Sequence, residues 1–206
     1  MVRVLGRANS INVQKVMWCA AELGITVERH DIGMQFGGND TPEYLAKNPN
    51  GLIPTLEDGE LTIWESNTIV RYLADTYAQG EWALATSADR ARASQWMDWY
   101  LTTIHAPLSV VFRNLIRTPE PERDMDAVNQ AITTVNKLWM VLDMHLGRHD
   151  YVLGEHLSIG DIPAGCAVYR WYSMDVERPE MPNLVAWYQR LQDRDAFCTH
   201  VMMPLT

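Results

Sequence analysis

The sequence predicts an α/β half followed by an all-helical half, and three observations carry that prediction. Short apolar runs bounded by turn residues alternate with helical patterns up to about residue 77. An Asp58-Gly59 pair sits between two such runs, a strong short-range hairpin signal. Beyond Gly80 the apolar residues recur at helical spacing alone. The expected domains are 1–77 and 87–206, joined by a linker at 78–86.

Taken in order, Val2–Leu5 reads as a strand, Val13–Leu23 as a helix ended by Gly24, and Thr26–Ile32 as a second strand. The stretch Met34–Lys47 is richer in Gly and turn residues, with one irregular helix expected at 42–46. Pro54-Thr55-Leu56-Glu57 and Glu60-Leu61-Thr62-Ile63 flank the Asp58-Gly59 turn as two antiparallel strands. Pro54 lacks an N–H for the ladder and so belongs at the first residue of its strand, where an X-Pro bond is a candidate for the cis form. Glu65-Ser66 then opens a helix from Asn67 to about Tyr77, with Ser66 as its expected N-cap. A mixed four-stranded sheet with helices on its faces is the thioredoxin-like arrangement.

In the second half, Trp96/Met97, Tyr100/Leu101, Ile104, Leu108, Val111/Phe112 and Leu115 mark a long helix that Pro107 should bend. Val128, Ala131/Ile132, Val135, Leu138/Trp139, Leu142 and Leu146 mark its antiparallel partner, reached through Pro119-Glu120-Pro121. Ser158 and Asp161 have capping-box spacing, and Leu157 and Ile162 that of a hydrophobic staple, at the start of a buried helix running to Trp171. One more helix starts at Pro182-Asn183, with Leu184, Trp187 and Leu191 inward.

Composition narrows the function. The 206 residues hold 26 acids against 17 Lys and Arg, a net charge of −9 with no basic run, which disfavours nucleic acid and anionic membranes as partners. No apolar stretch approaches the length of a membrane span, and no signal-peptide layout is present, so a cytoplasmic location is expected. Cys19, Cys166 and Cys198 lack metal-ligand spacing and read as free thiols; the six histidines are scattered, so no metal is expected.

The segment Asn48–Asn67 has the makings of a site for a small peptide-like ligand. The Ile53 N–H and C=O, turned outward beside a cis Pro54, can pair with an extended ligand as a sheet edge does. The helix start at Ser66 offers N–H groups to a carboxylate, and Glu65 offers charge to an amine. A ligand with both an α-amino and an α-carboxylate group fits.

The Ile53-Pro54 step, Glu65-Ser66 and the later Ser158-x-x-Asp161 together resemble the cytosolic-type glutathione S-transferases over essentially the whole chain. Gly6–Val16, with Ser10 and Asn12, resembles the bacterial theta-like and nu-like groups, in which a Ser or Thr after the first strand sits near the glutathione sulfur. The resemblance implies glutathione as co-substrate, no metal, a two-fold homodimer and a role in detoxification. It also implies that Ile53 and Pro54 hold the cysteinyl part and that Glu65 and Ser66 hold the γ-glutamyl end. Many theta- and nu-like members carry a Lys where this chain has Leu52, so either the glycyl carboxylate is held otherwise, with Gln35 and Asn39 as the candidates, or glutathione binds more weakly. The electrophile pocket is expected between the domains, with Arg7 and Phe36 on one side and Trp96, Tyr100 and Arg113 on the other. The two arginines favour a small halogenated or acidic electrophile. The same site could instead serve a disulfide reductase or peroxidase, or a non-catalytic binding member.

Such a transferase must lower a thiol pKa. From about 8.5 to about 6.5 requires roughly 2.7 kcal/mol of selective stabilisation of the thiolate. A helix N-terminus supplies about 0.3 to 1 kcal/mol, and a hydrogen bond to a charged group about 1.5 to 3 kcal/mol. The Ser10 hydroxyl is the first candidate donor and the Asn12 amide its rival or partner.

Overall fold

Four strands form one mixed sheet in the computed structural model, which describes residues 1–206. They are β1 (Val2–Leu5), β2 (Val27–His30), β3 (Thr55–Asp58) and β4 (Leu61–Trp64), in the order β2-β1-β3-β4. β2 runs parallel to β1, whereas β3 is antiparallel to both β1 and β4. Asp58 pairs with Leu61, so the two-residue loop of the hairpin is Gly59-Glu60, one residue later than expected. Gly59 at φ +60 takes its first position, the place where a positive φ is needed.

Two helices, α1 (Ile11–Glu22) and α3 (Ser66–Tyr77), pack together within the first unit, and a short helix, α2 (Pro42–Leu45), precedes β3. Val13, Val16 and Trp18 of α1 and Ile69, Val70 and Leu73 of α3 are fully enclosed. Full burial of such a side chain contributes about 1.5 to 3 kcal/mol. The first unit is Met1–Leu84 together with Ala196–Met203, the second Ala85–Asp195 with Pro204–Thr206. The C-terminal piece of the first unit was not anticipated. Its short helix α9 (Asp195–His200) sets Phe197 edge-on against Trp18, centroids 4.9 Å apart, while Gln14 Nε2 donates to the Val201 C=O at 3.4 Å. The available signal was small: Phe197 and Val201, four residues apart and both buried.

In the helical unit the regular helix expected to bend at Pro107 is interrupted by a π turn just before that residue. α4 (Ser87–Trp99) passes through a π turn at Tyr100–Ile104 into α5 (His105–Phe112), and a second π turn covers Arg113–Arg117. Pro107 has no N–H for the carbonyl of Thr103, so the regular ladder cannot continue through this point. Thr102 and Thr103 hydroxyls donate to the carbonyls of Asp98 and Trp99, at 2.9 and 2.5 Å. α6 (Met125–Leu146) packs against α5, and α7 (Asp161–Tyr172) and α8 (Pro182–Gln192) complete the unit.

Asp161 is the polar centre of this unit. Its carboxylate is fully buried and accepts from Val152 N–H and Trp187 Nε1 on one oxygen, and from the Ser158 N–H and hydroxyl on the other, all at 3.0 Å. Only half of the expected capping box is present. Asp161 reaches back to Ser158, but the Ser158 hydroxyl accepts from Gly160 N–H at 3.2 Å rather than from the helix it precedes. Burial pushes the Asp161 carboxyl up to about 6, against the lowering effect of its hydrogen bonds.

Two outcomes follow for unfolding in denaturant. Asp161→Ala strands several buried donors and is expected to cost about 3 to 5 kcal/mol. Because the folded-state pKa lies above the unfolded one, the contribution of Asp161 is full below about pH 4 and lost as pH rises through about 6. The stability gap between the chain and Asp161→Asn should therefore narrow over that window and stay flat above it.

Candidate functional site

The register places Leu5, Thr55 and Trp64 side by side across β1, β3 and β4. β1 and β4 end at this edge and β3 begins there, because β3 runs opposite to both. Three connections consequently meet: Gly6–Ser10 leading into α1, Ile53-Pro54 leading into β3, and Glu65 leading into α3.

Gly6 permits the closest of these approaches. A Cβ at this position would lie 2.6 Å from Val13 Cγ2 and 3.2 Å from Ile53 Cβ, so only glycine fits. The Ile53–Pro54 bond is cis, the form the sequence made a candidate. The loop is fixed just before it by two side chains. Tyr44 Oη and Asn48 Nδ2 both donate to the Leu52 C=O, at 2.6 and 2.7 Å, and both reach Thr55 Oγ1, at 2.9 and 3.3 Å. Asn48, 2% exposed, also accepts from Asn50 N–H at 3.1 Å, an Asx turn closing the Asn48-Pro49-Asn50-Gly51 run. Since the ladder starts at Thr55, the N–H and C=O of Ile53 take no part in it.

The expected N-cap shifts by one residue at α3. Glu65 is the cap, with φ +72 and ψ +109, and Ser66 is the first helical residue. No side chain caps this helix, and Glu65 is exposed. A non-glycine residue at positive φ costs about 1 to 3 kcal/mol and persists where its surroundings demand it, commonly at functional positions. Ser10 does occupy the N-cap position of α1, but its hydroxyl makes no cap hydrogen bond. The hydroxyl is thus not consumed by the helix it precedes. The two helix starts are joined directly: Ser66 Oγ donates to Asn12 Oδ1 at 3.3 Å, and Lys15 Nζ donates to the same oxygen at 3.0 Å. Two positive helix ends therefore lie at one edge of the sheet, an arrangement that favours an anion.

Other candidate residues are placed as follows. Leu52 is 65% exposed and brings no polar side-chain group. Gln35 and Phe36 are exposed on a 3₁₀ turn at Met34–Phe36. Asn39 spends its Nδ2 on the Gly51 C=O at 2.8 Å, which leaves Gln35 as the uncommitted amide of the two. Arg7 is half-buried beside Gly33, where a Cβ would lie 3.5 Å from its Nη1.

Within the helical unit, Arg113 is exposed. Trp96 faces His145 at 4.6 Å between centroids and lines a cavity of about 410 Å³ with Arg92, Gln95, His145, His149, Val152 and Leu153. Tyr100 is fully buried, its hydroxyl 3.3 Å from His105 Nδ1, and burial raises its phenol pKa. Tyr100 thus serves the interior of its own unit, whereas Trp96 is half-buried and lines a cavity within that unit. The sequence reading passed over Tyr44, Asn48 and Lys15. Asn48 was legible from its Asn-Pro-Asn-Gly turn, whereas the reach of Tyr44 and the burial of Lys15 depend on tertiary packing.

Comparison with known proteins agrees along the chain. Residues 1–75 match the model of the glutathione S-transferase N-terminal domain, and residues 96–195 that of the C-terminal domain. The chain is 38% identical over 208 residues to glutathione S-transferase GstB of Escherichia coli K12, covering 100% of both. It is 32% identical over 148 residues to glutathione S-transferase F10 of Arabidopsis thaliana, covering 68% of this chain and 67% of the relative. Among solved structures, the theta class glutathione S-transferase of Xanthomonas axonopodis pv. citri, with glutathione bound, superposes with a TM-score of 0.95. Identity is 45%, over 100% of this chain and 99% of that one.

The backbone at Glu65 yields a test independent of any ligand. Glu65→Gly relieves the positive φ and is expected to stabilise the chain by about 0.5 to 1 kcal/mol, read from the denaturant midpoint. An unchanged or lower stability would mean that the Glu65 side chain itself supports the fold.

Proposed function

The chain belongs to the glutathione S-transferase family, and we propose that the meeting strand ends of its first unit are where it binds glutathione and activates the thiol. Its activity is that of a glutathione transferase, with glutathione as co-substrate. The observation that carries the siting is the convergence of Gly6–Ser10, Ile53-Pro54 and Glu65-Ser66 at one edge of the sheet. There a backbone segment outside the ladder lies beside two helix N-termini joined through Asn12.

Each part has a chemical counterpart in the tripeptide. The Ile53 N–H and C=O, just before Pro54, pair with the cysteinyl residue as an added strand would. The start of α3 at Ser66 receives the γ-glutamyl α-carboxylate, and the Glu65 carboxylate receives its ammonium. Gln35 donates to the glycyl carboxylate in place of a lysine at the Leu52 position. The Ser10 hydroxyl and the Asn12 amide donate to the sulfur. One such bond and a helix N-terminus together supply the roughly 2.7 kcal/mol required to bring the thiol from about 8.5 to about 6.5. The thiolate then attacks the electrophilic carbon, forms the C–S bond and expels the leaving group with its electron pair. A homodimer in the cytoplasm completes the reading.

Thiolate absorbance of bound glutathione followed against pH tests the assignment. The chain should hold the thiol well below its free pKa, and Ser10→Ala should raise it by at least about one pH unit. Glutathione that binds with an unshifted thiol, or does not bind, would overturn the proposal.

A further inference from the structure

Lys15 is an unusual side chain for the interior of α1. It is 0% exposed, on a helix whose other enclosed residues include Ile11, Val13, Val16 and Trp18. A lysine is almost never fully buried unless its ammonium is used, because taking that charge out of water is costly. Its Nζ donates to Asn12 Oδ1 at 3.0 Å, across the three-residue spacing that puts two helical side chains on one face. An ammonium can only donate, so the atom facing it must be the amide oxygen. The Ser66 hydroxyl donates to that same oxygen from the start of α3. With the oxygen held from two sides, the Asn12 –NH₂ is turned the other way and makes no hydrogen bond within the chain, although the residue is half-buried.

We propose that Lys15 is a positioning residue for the thiolate, its buried ammonium locking the Asn12 amide so that the –NH₂ is aimed at the glutathione sulfur. This rests on the reading of the strand-end site given above and deepens it. Ser10 and Asn12 are then not equivalent donors. The Ser10 hydroxyl can rotate, whereas the Asn12 donor is held before the ligand arrives and loses little freedom in meeting it. Ser66 contributes through the same oxygen, which links the γ-glutamyl end of the site to the sulfur end.

The test compares the bound-glutathione thiol pKa, kcat and KM across variants of the full chain. Lys15→Met keeps the length of the side chain and removes the donor. It should raise the thiol pKa by about one pH unit, a roughly tenfold loss of thiolate at neutral pH, and lower kcat more than it changes KM. Lys15→Arg, which keeps a donor, should recover most of the loss. In an Asn12→Ala background, Lys15→Met should raise the pKa no further. The proposal is overturned if Lys15→Met folds and leaves the pKa where it was, or raises it equally without Asn12. Should Lys15→Met fail to fold, the side-chain amide of Asn12 is followed by nitrogen NMR in the unmodified chain with glutathione bound. Its signal should titrate with the sulfur, and a signal indifferent to that ionisation would overturn the proposal. Absence of glutathione binding by the unmodified chain would instead remove the underlying assignment of the site.

Discussion

Strand direction in the four-stranded sheet is the constraint on which the site depends. β1 and β4 point the same way and β3, lying between them, points the other way. A helix following β1 and a helix following β4 must therefore begin at the same edge, and the segment entering β3 must arrive there too. No side chain has to be invoked to bring the starts of α1, α3 and the Ile53-Pro54 segment together. The side chains decide how tightly the three are held. Tyr44 and Asn48 fix the carbonyl before Ile53, Gly6 lets the first connection lie against that residue, and Asn12 Oδ1 ties one helix start to the other.

The arrangement carries local costs, and they fall where binding needs them. Glu65 holds a backbone conformation that favours glycine, Ser10 forgoes a side-chain cap, α3 starts without one, and Lys15 is taken fully out of water. The enclosed apolar residues of α1 and α3, with Trp18 closed over by Phe197, supply the stability against which these costs are set. The helical unit shows the opposite economy. At Asp161 four donors meet one carboxylate, and nothing there is left over for a ligand.

Much of the fold was legible because it rests on local chemistry. The hairpin follows from a Gly-containing turn between apolar runs, the strand start from a proline that cannot donate, and the long helices from apolar spacing. The misses are those a linear reading must make. Whether Glu65 or Ser66 caps α3 depends on a single φ angle, and the hairpin loop moved by one residue because pairing continued through Asp58. Helix α9 is too short for periodicity to announce, and its burial depends on Trp18, far away in sequence. Helical spacing could not say which side of its helix Trp96 or Tyr100 would serve; the structure buries Tyr100 in the helical interior and leaves Trp96 half-buried on a cavity wall. Lys15 was invisible as a site residue because a lysine in a helix reads as solvated until its burial is seen.

The central claim is that glutathione sits at the strand edge where these three connections meet. Backbone amide NMR of the full chain titrated with glutathione tests it most directly. The account predicts that the largest shifts fall on Ser10, Asn12, Ile53, Glu65 and Ser66, with the amides around Asp161 unmoved. Saturable shifts confined to other residues, or none at all, would contradict it.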